Sequence, residues 1–99
     1  MLHLLFLTYT GSEADAAPFV TAHVAFLEHH HRAGTFLLSG QTVPSSEGGV
    51  IVARGTDRRR IERIAAEDPL VTSGVAAYTV TTVDPDRAHP DLAGLLGGA

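Results

Sequence analysis

The feature that most constrains the fold is the order of the segments that favour strands and helices. Four short segments are apolar and rich in β-branched residues, as strands are; they span residues 2–9, 35–42, 49–54 and 75–83. One amphipathic helical segment follows the first of them and another follows the third. The order strand, helix, strand, strand, helix, strand predicts an α+β domain in which an antiparallel sheet carries both helices on one face.

Both predicted helices have clear ends. The first runs from about Pro18 to Arg32, and Gly34 is a natural stop. Its apolar stripe, at the spacing of one helix face, consists of Phe19, Ala22, His23, Phe26, Leu27 and His30. The second follows a cap at Thr56 or Asp57 and ends at Asp68-Pro69, because a residue before proline avoids helical geometry.

This βαββαβ order is that of the ferredoxin-like fold, which leaves one sheet face without helices. The strands alternate apolar residues with weakly polar ones, so the uncovered face is semi-apolar. A chain of 99 residues has a small core, and only 18% of its residues are charged. We therefore expect a homodimer in which two sheets pack face to face as a dimeric α+β barrel.

Composition excludes several functional classes. The net charge is −4, the chain has no lysine, and most of its arginines form the segment 58–63, so nucleic acid is not an expected partner. Without cysteine there are neither disulfides nor thiolate sites. The apolar opening Met1–Leu7 lacks a basic region and a cleavage site, and no segment reaches 18 apolar residues. We expect a cytoplasmic protein with no membrane partner.

Three stretches, taken in order, resemble the YCII-related family. They are residues 23–27, 34–40, and 65–70 with Gly74 downstream. The resemblance covers residues 1–84 and implies a dimeric ferredoxin-like domain; residues 85–99 would form a C-terminal arm that is partly flexible. The chain departs from the family pattern at Thr21, Gln41 and Leu70.

The resemblance implies an active site built on His23 and Asp68. Each residue also has a structural explanation: His23 as a hydrogen-bonded core histidine, and Asp68 as the residue that ends a helix before proline. A joint role has a physical basis, because a carboxylate that accepts a hydrogen bond from one imidazole nitrogen leaves the other available as a base.

Three further residues are candidates for substrate binding. Ser39 and Gly40 occupy the corner at the end of the second strand, where the Ser39 hydroxyl can orient a substrate. Without an adjacent strong base, Ser39 is a poor nucleophile. Tyr78 on the fourth strand either lines the pocket or packs in the core.

The run His29-His30-His31 does not predict a metal site. Consecutive helical residues point about a third of a turn apart, so these side chains cannot converge on one ion. No glycine-rich phosphate motif is present either. We expect neither a metal nor a cofactor.

The resemblance therefore implies an enzyme for a small molecule that uses His23 and Asp68 for general acid/base chemistry, with elimination or isomerisation as the reaction class. The alternative is a non-catalytic ligand-binding or regulatory module with the same pocket. A purely structural dimer is a third possibility.

Overall fold

A computed structural model describes residues 1–96, and residues 97–99 of the predicted C-terminal arm lie outside the described residues. The four strands are β1 (Leu2–Tyr9), β2 (Phe36–Gln41), β3 (Gly49–Arg54) and β4 (Ala76–Val83). The four helices are α1 (Val20–Arg32), α2 (Arg58–Ala66), α3 (Pro69–Thr72) and α4 (Pro90–Leu96). Short 3-10 helices span Glu13–Phe19 and Ser45–Glu47.

The strands form one antiparallel sheet in the order β2-β3-β1-β4. Strand β1 is central and pairs over its length with β4, from Leu2 opposite Val83 to Tyr9 opposite Ala76. This arrangement confirms the predicted α+β fold.

The core lies between the helices and one sheet face. One cluster joins the inner residues of β1, β2 and β3 to α2; its buried members are Leu5, Phe36, Ile51, Ala53, Ile61, Ile64 and Ala65. A second joins β1 and β4 to the first 3-10 helix and α3, through Leu7, Ala16, Leu70 and Ala76. Helix α1 contributes Phe26 and Leu27 at the margin of the first cluster.

Helix α1 begins later than predicted. Pro18 lies in the 3-10 helix, and regular α-helix starts at Val20. Proline has no N–H group for a helical hydrogen bond, and its ring fixes φ, so it is compatible with this tighter entry turn. His23 consequently lies in the first half of α1, on the side that faces the sheet.

Strand β2 contains a β-bulge that decides which of its residues face inward. Phe36 pairs with Ala53 and Ser39 pairs with Ile51, but the register shifts between Phe36 and Leu38. Simple alternation from Phe36 would turn Leu38 inward and Ser39 outward. The extra residue reverses this, so Ser39 faces the helices while Leu38 is 56% exposed.

The sheet face opposite the helices is uncovered within the described chain; it is apolar along β1 and β3, and it carries Thr79 and Thr81 on β4. Leu4 and Phe6 of β1 lie opposite Val52 and Val50 of β3 on this face. Phe6 is 40% exposed, which is far more than a phenylalanine of the core would be. We call this surface, formed by Leu2, Leu4, Phe6, Leu38, Val50, Val52 and Val83, the open face.

The C-terminal arm contains a short helix that the sequence reading did not predict. Pro90 occupies its first turn, where the missing N–H has no cost. The arm contacts the domain through Arg54, whose guanidinium donates to the Leu95 carbonyl at 2.7 Å. Among residues 1–96, no helix has the length and apolar character that crossing a bilayer requires.

Replacement of Gly48 tests whether the β2–β3 loop needs a glycine where it passes close to β1. Its φ of +120° is unfavourable for other residues, and a Cβ atom there would overlap the carbonyl oxygen of Leu7. We expect Gly48→Ala to lower the free energy of unfolding by at least about 2 kcal/mol in urea titrations. Gly40→Ala is the matched control, since nothing lies within 4 Å of its added methyl group, and should change stability by less than about 1 kcal/mol. Equal losses in the two variants would contradict this account.

Candidate functional site

Asp68 is a fully buried carboxylate at the junction of α2 and α3. The residue before Pro69 cannot continue α2, so the chain turns and Asp68 becomes the N-cap of α3. Its Oδ1 accepts the backbone N–H of Leu70 at 2.9 Å. Asp68 thus has the structural role at the helix end that proline predicts, but the capping hydrogen bond uses only part of the capacity of its carboxylate to accept hydrogen bonds.

His23 uses the rest of that carboxylate. Its Nδ1 lies 2.9 Å from Oδ1 and 2.8 Å from Oδ2 of Asp68. An ionised carboxylate only accepts hydrogen bonds, so Nδ1 carries the proton. This leaves Nε2, for which residues 1–96 provide no hydrogen-bond partner, as the free nitrogen of a side chain that is 17% exposed.

Tyr78 completes the environment of Asp68. Its hydroxyl donates to Oδ2 at 2.6 Å, so the carboxylate accepts from an imidazole, a phenol and a backbone amide. Burial, the hydrogen bond to Asp68 and the charge of Asp68 raise the pKa of the Tyr78 phenol far above its ordinary value. Tyr78 is therefore a fixed donor, a role that the sequence did not predict.

A cavity of about 250 Å³ lies between α1 and the sheet. One wall is the face of α1 that carries Val20, His23 and Leu27. The opposite wall is the end of β2, with Ser39 and Gly40. Its volume is slightly below the range typical of pockets for drug-sized ligands, so it suits a smaller molecule.

Ser39 has a partner that the sequence reading missed. The Nε2 atom of His31, in the last turn of α1, lies 2.9 Å from the Ser39 hydroxyl. The expectation that Ser39 lacks an adjacent base is therefore wrong. The sequence does not show this contact for two reasons: the residues are eight positions apart in different elements, and only the bulge in β2 turns Ser39 inward.

His30, the middle residue of the histidine run, packs against the core. The His30 ring packs edge-on against Phe26 and at a tilt of 42° against Phe36, with 4.9 Å between ring centroids in both pairs. Burial and the neighbouring His29 lower the pKa of His30. Among residues 1–96, no group of three or more histidine, aspartate or glutamate side chains is arranged to hold a metal ion.

His3 shows what a structural histidine looks like in this fold. It is fully buried on β1, and its two nitrogens contact the Thr82 hydroxyl at 2.9 Å and the Gly55 carbonyl at 3.0 Å. Both nitrogens are therefore satisfied inside the protein. His23 differs, because one of its nitrogens is free at a cavity.

Comparison with protein families gives a decisive match. The sequence profile of the YCII-related domain matches residues 1–84, the whole βαββαβ unit. The chain belongs to the YCII-related family. This confirms the resemblance drawn from the three sequence stretches, and the boundary of the match coincides with the end of β4. No curated protein sequence matches the chain significantly.

A solved structure supports the same fold. The chain superposes with a TM-score of 0.71 on a 5-chloro-2-hydroxyhydroquinone dehydrochlorinase from Burkholderia phenoliruptrix AC1100, determined in complex with 2,5-dihydroxybenzoquinone. The two chains are 19% identical, and the alignment covers 85% of this chain and 94% of the neighbour. At that identity the likeness establishes the ferredoxin-like fold.

The structure thus brings together the residues that the sequence singled out. His23 and Asp68 are in direct contact, and Ser39, Gly40 and Tyr78 line the same cavity as His23. The Tyr78 hydroxyl donates its hydrogen to Asp68, so this hydrogen is not available to a ligand. Their roles in binding and catalysis stay predictions.

The raised pKa of Tyr78 predicts how stability depends on pH. In the unfolded chain this phenol ionises near pH 10, whereas in the folded protein it stays protonated well above that value. Folding then takes up a proton, so the free energy of unfolding should fall as pH rises above about 10, by up to about 1.4 kcal/mol per pH unit.

Urea titrations of the wild type and Tyr78→Phe between pH 8 and 11 test this. Below pH 10 the wild type should be more stable, by about 1 kcal/mol for the lost hydrogen bond. That advantage should shrink above pH 10, because only the wild type carries the linkage at position 78. A difference that is constant with pH would contradict the buried, protonated phenol.

Proposed function

We propose that this chain is a small-molecule enzyme in which His23, oriented by Asp68, transfers protons to or from its substrate. The observation that carries the proposal is the free Nε2 of His23 at the cavity, on an imidazole whose Nδ1 contacts a fully buried carboxylate. The carboxylate fixes the tautomer and the ring orientation, as a general base requires.

Elimination or isomerisation is the reaction class that this arrangement supports best. In an elimination, Nε2 takes a proton from carbon, the C–H electron pair becomes a new double bond, and the leaving group departs with its own bonding pair. In an isomerisation, the same proton returns to a different atom. The fold neighbour is named a dehydrochlorinase, which is consistent with elimination on this scaffold.

The neighbour also supports a substrate class. It was determined with a hydroxylated quinone bound, and the cavity described here is small and mostly apolar, with polar groups on two walls. We infer that the substrate is a small cyclic molecule that carries a carbonyl or phenolic oxygen next to the reacting carbon.

Replacement of His23 tests the proposal. We expect the wild type to catalyse one of two reactions: halide release from halogenated hydroxyhydroquinones, or deuterium exchange at carbons next to the carbonyl of cyclic ketones. Proton NMR in D₂O measures the exchange. His23→Asn should lower the rate by about 10² to 10⁴-fold, since it removes the base.

The control is His29→Asn, which makes the same change at an exposed position on the same helix. It should retain the wild-type rate. A His23→Asn variant that is folded and fully active would refute the catalytic role. If compounds raise the melting temperature of the wild type but none is converted, the result favours the alternative, a ligand-binding or regulatory module.

We also propose that the protein is a homodimer that pairs its open faces. The supporting observation is the exposed apolar surface centred on Phe6, flanked by Leu38 at 56% and Val83 at 38% exposure. Large contiguous apolar patches on a small domain commonly mark interfaces. Sheet-on-sheet packing would bury this surface and give the dimeric α+β barrel that the family resemblance implies.

Phe6→Glu tests the dimer. A carboxylate at the centre of the paired sheets would be buried without a partner, so we expect monomers in size-exclusion chromatography with light scattering at concentrations where the wild type is dimeric. Thr8→Glu, at the end of the same row of β1, is the control and should affect association less. A wild type that is monomeric at all concentrations would refute the proposal.

A further inference from the structure

The Ser39–His31 pair is the second polar group of the cavity, and the acid/base pair does not account for it. Ser39 lines the β2 wall, opposite the α1 wall that carries His23. His31 lies outside the cavity lining and contacts Ser39 from behind, with Nε2 2.9 Å from the hydroxyl oxygen.

The pair is held in place by the core. The His31 ring packs edge-on against Phe36, at 5.9 Å and 82°, and Phe36 is only 2% exposed. Ser39 is fixed by its register opposite Ile51, after the bulge. Neither side chain is a freely rotating surface group, so the direction of the hydroxyl is determined by the hydrogen bond to His31.

The hydrogen bond decides what Ser39 presents to a ligand. A hydroxyl has one donor hydrogen and two acceptor lone pairs. If Nε2 of His31 donates to the Ser39 oxygen, the hydroxyl hydrogen is free to point into the cavity. If the hydroxyl donates to Nε2 instead, only lone pairs face the cavity. A negatively charged oxygen in the cavity favours the first arrangement.

The chemistry proposed for His23 creates such an oxygen. Removal of a proton from a carbon beside a carbonyl leaves negative charge on the oxygen, as an enolate or phenolate, and catalysis requires a donor at that oxygen. Apart from Ser39, the polar side chains on the strand walls are Tyr9, Gln41 and Tyr78, and Tyr78 is committed to Asp68.

We propose that Ser39 donates a hydrogen bond to an anionic enolate or phenolate oxygen of the ligand, and that His31 is the positioning residue that keeps the hydroxyl hydrogen directed into the cavity. This rests on the proposed function for its catalytic meaning, but as a binding site it stands separately. It assigns a role to one member of the histidine run.

Binding of two matched quinones tests the site by isothermal titration calorimetry. The probes are 2,5-dihydroxybenzoquinone, which presents ionisable oxygens, and 2,5-dimethoxybenzoquinone, which does not. We expect Ser39→Ala to weaken the dihydroxy compound about tenfold or more and to change the dimethoxy compound less than twofold. Ser39→Thr keeps a hydroxyl and should retain most of the preference.

A double-mutant cycle assigns the role of His31. His31→Ala should weaken the dihydroxy compound severalfold in the wild-type background but have no effect in the Ser39→Ala background, because it acts only through that hydroxyl. His31→Gln, whose amide can donate, should restore part of the preference. His29→Ala is the control for loss of a neighbouring imidazole and should stay within twofold of the wild type.

The outcomes separate this inference from the proposed function. If carbon-bound protons exchange in a reaction that needs His23, while Ser39→Ala and His31→Ala alter neither the rate nor the preference between the quinones, the present inference is overturned and the proposed function stands. If no compound is converted but both variants lose the preference, the anion site stands and the catalytic proposal fails. A wild type that does not distinguish the two quinones overturns the anion site.

Discussion

The structure of the site depends on one buried carboxylate. Asp68 has no exposed surface, so its charge must be compensated by donors inside the protein. It accepts from His23 on α1, Tyr78 on β4 and the backbone of α3. One group therefore ties α1, whose His23 is 45 positions away in the chain, to α3 and β4. Removal of any donor would leave charge less compensated, which links the position of each element to the others.

The need to compensate the charge of Asp68 also fixes the orientation of the His23 ring. The Asp68–His23 contact holds one imidazole nitrogen in the interior and leaves the other at the cavity. His3, only a few residues into the chain, shows the contrast: with both nitrogens bonded inside the protein, it has no nitrogen left for a ligand. His3 and His23 thus differ in whether a ring nitrogen remains available to a ligand, because only His23 of the two has a nitrogen without a partner among residues 1–96.

The cavity has polar groups on opposite walls, and each is held in place by hydrogen bonds to residues further from the cavity centre. Asp68 and Tyr78 support His23 on the helix wall, and His31 supports Ser39 on the strand wall. In the roles that we propose, His23 is the base on one side and Ser39 is the donor for an oxyanion on the other, and proton transfer beside a carbonyl uses both kinds of group. The steps that we propose for His23 and Ser39 are proton transfer and hydrogen bonding by side chains alone.

The sequence by itself determined the order of the four strands and of α1 and α2, the C-terminal end of α1, the N-cap of α2 and the position of His23 on the inner stripe. It could do so because periodicity, glycine, proline and capping residues act over a few neighbouring residues. The pairing of His23 with Asp68 came from resemblance, since 45 positions separate them. Only the tertiary structure decided that Tyr78 donates to Asp68 and that a bulge turns Ser39 toward His31. Such contacts depend on how whole elements pack and on a one-residue shift of register, neither of which a local pattern encodes.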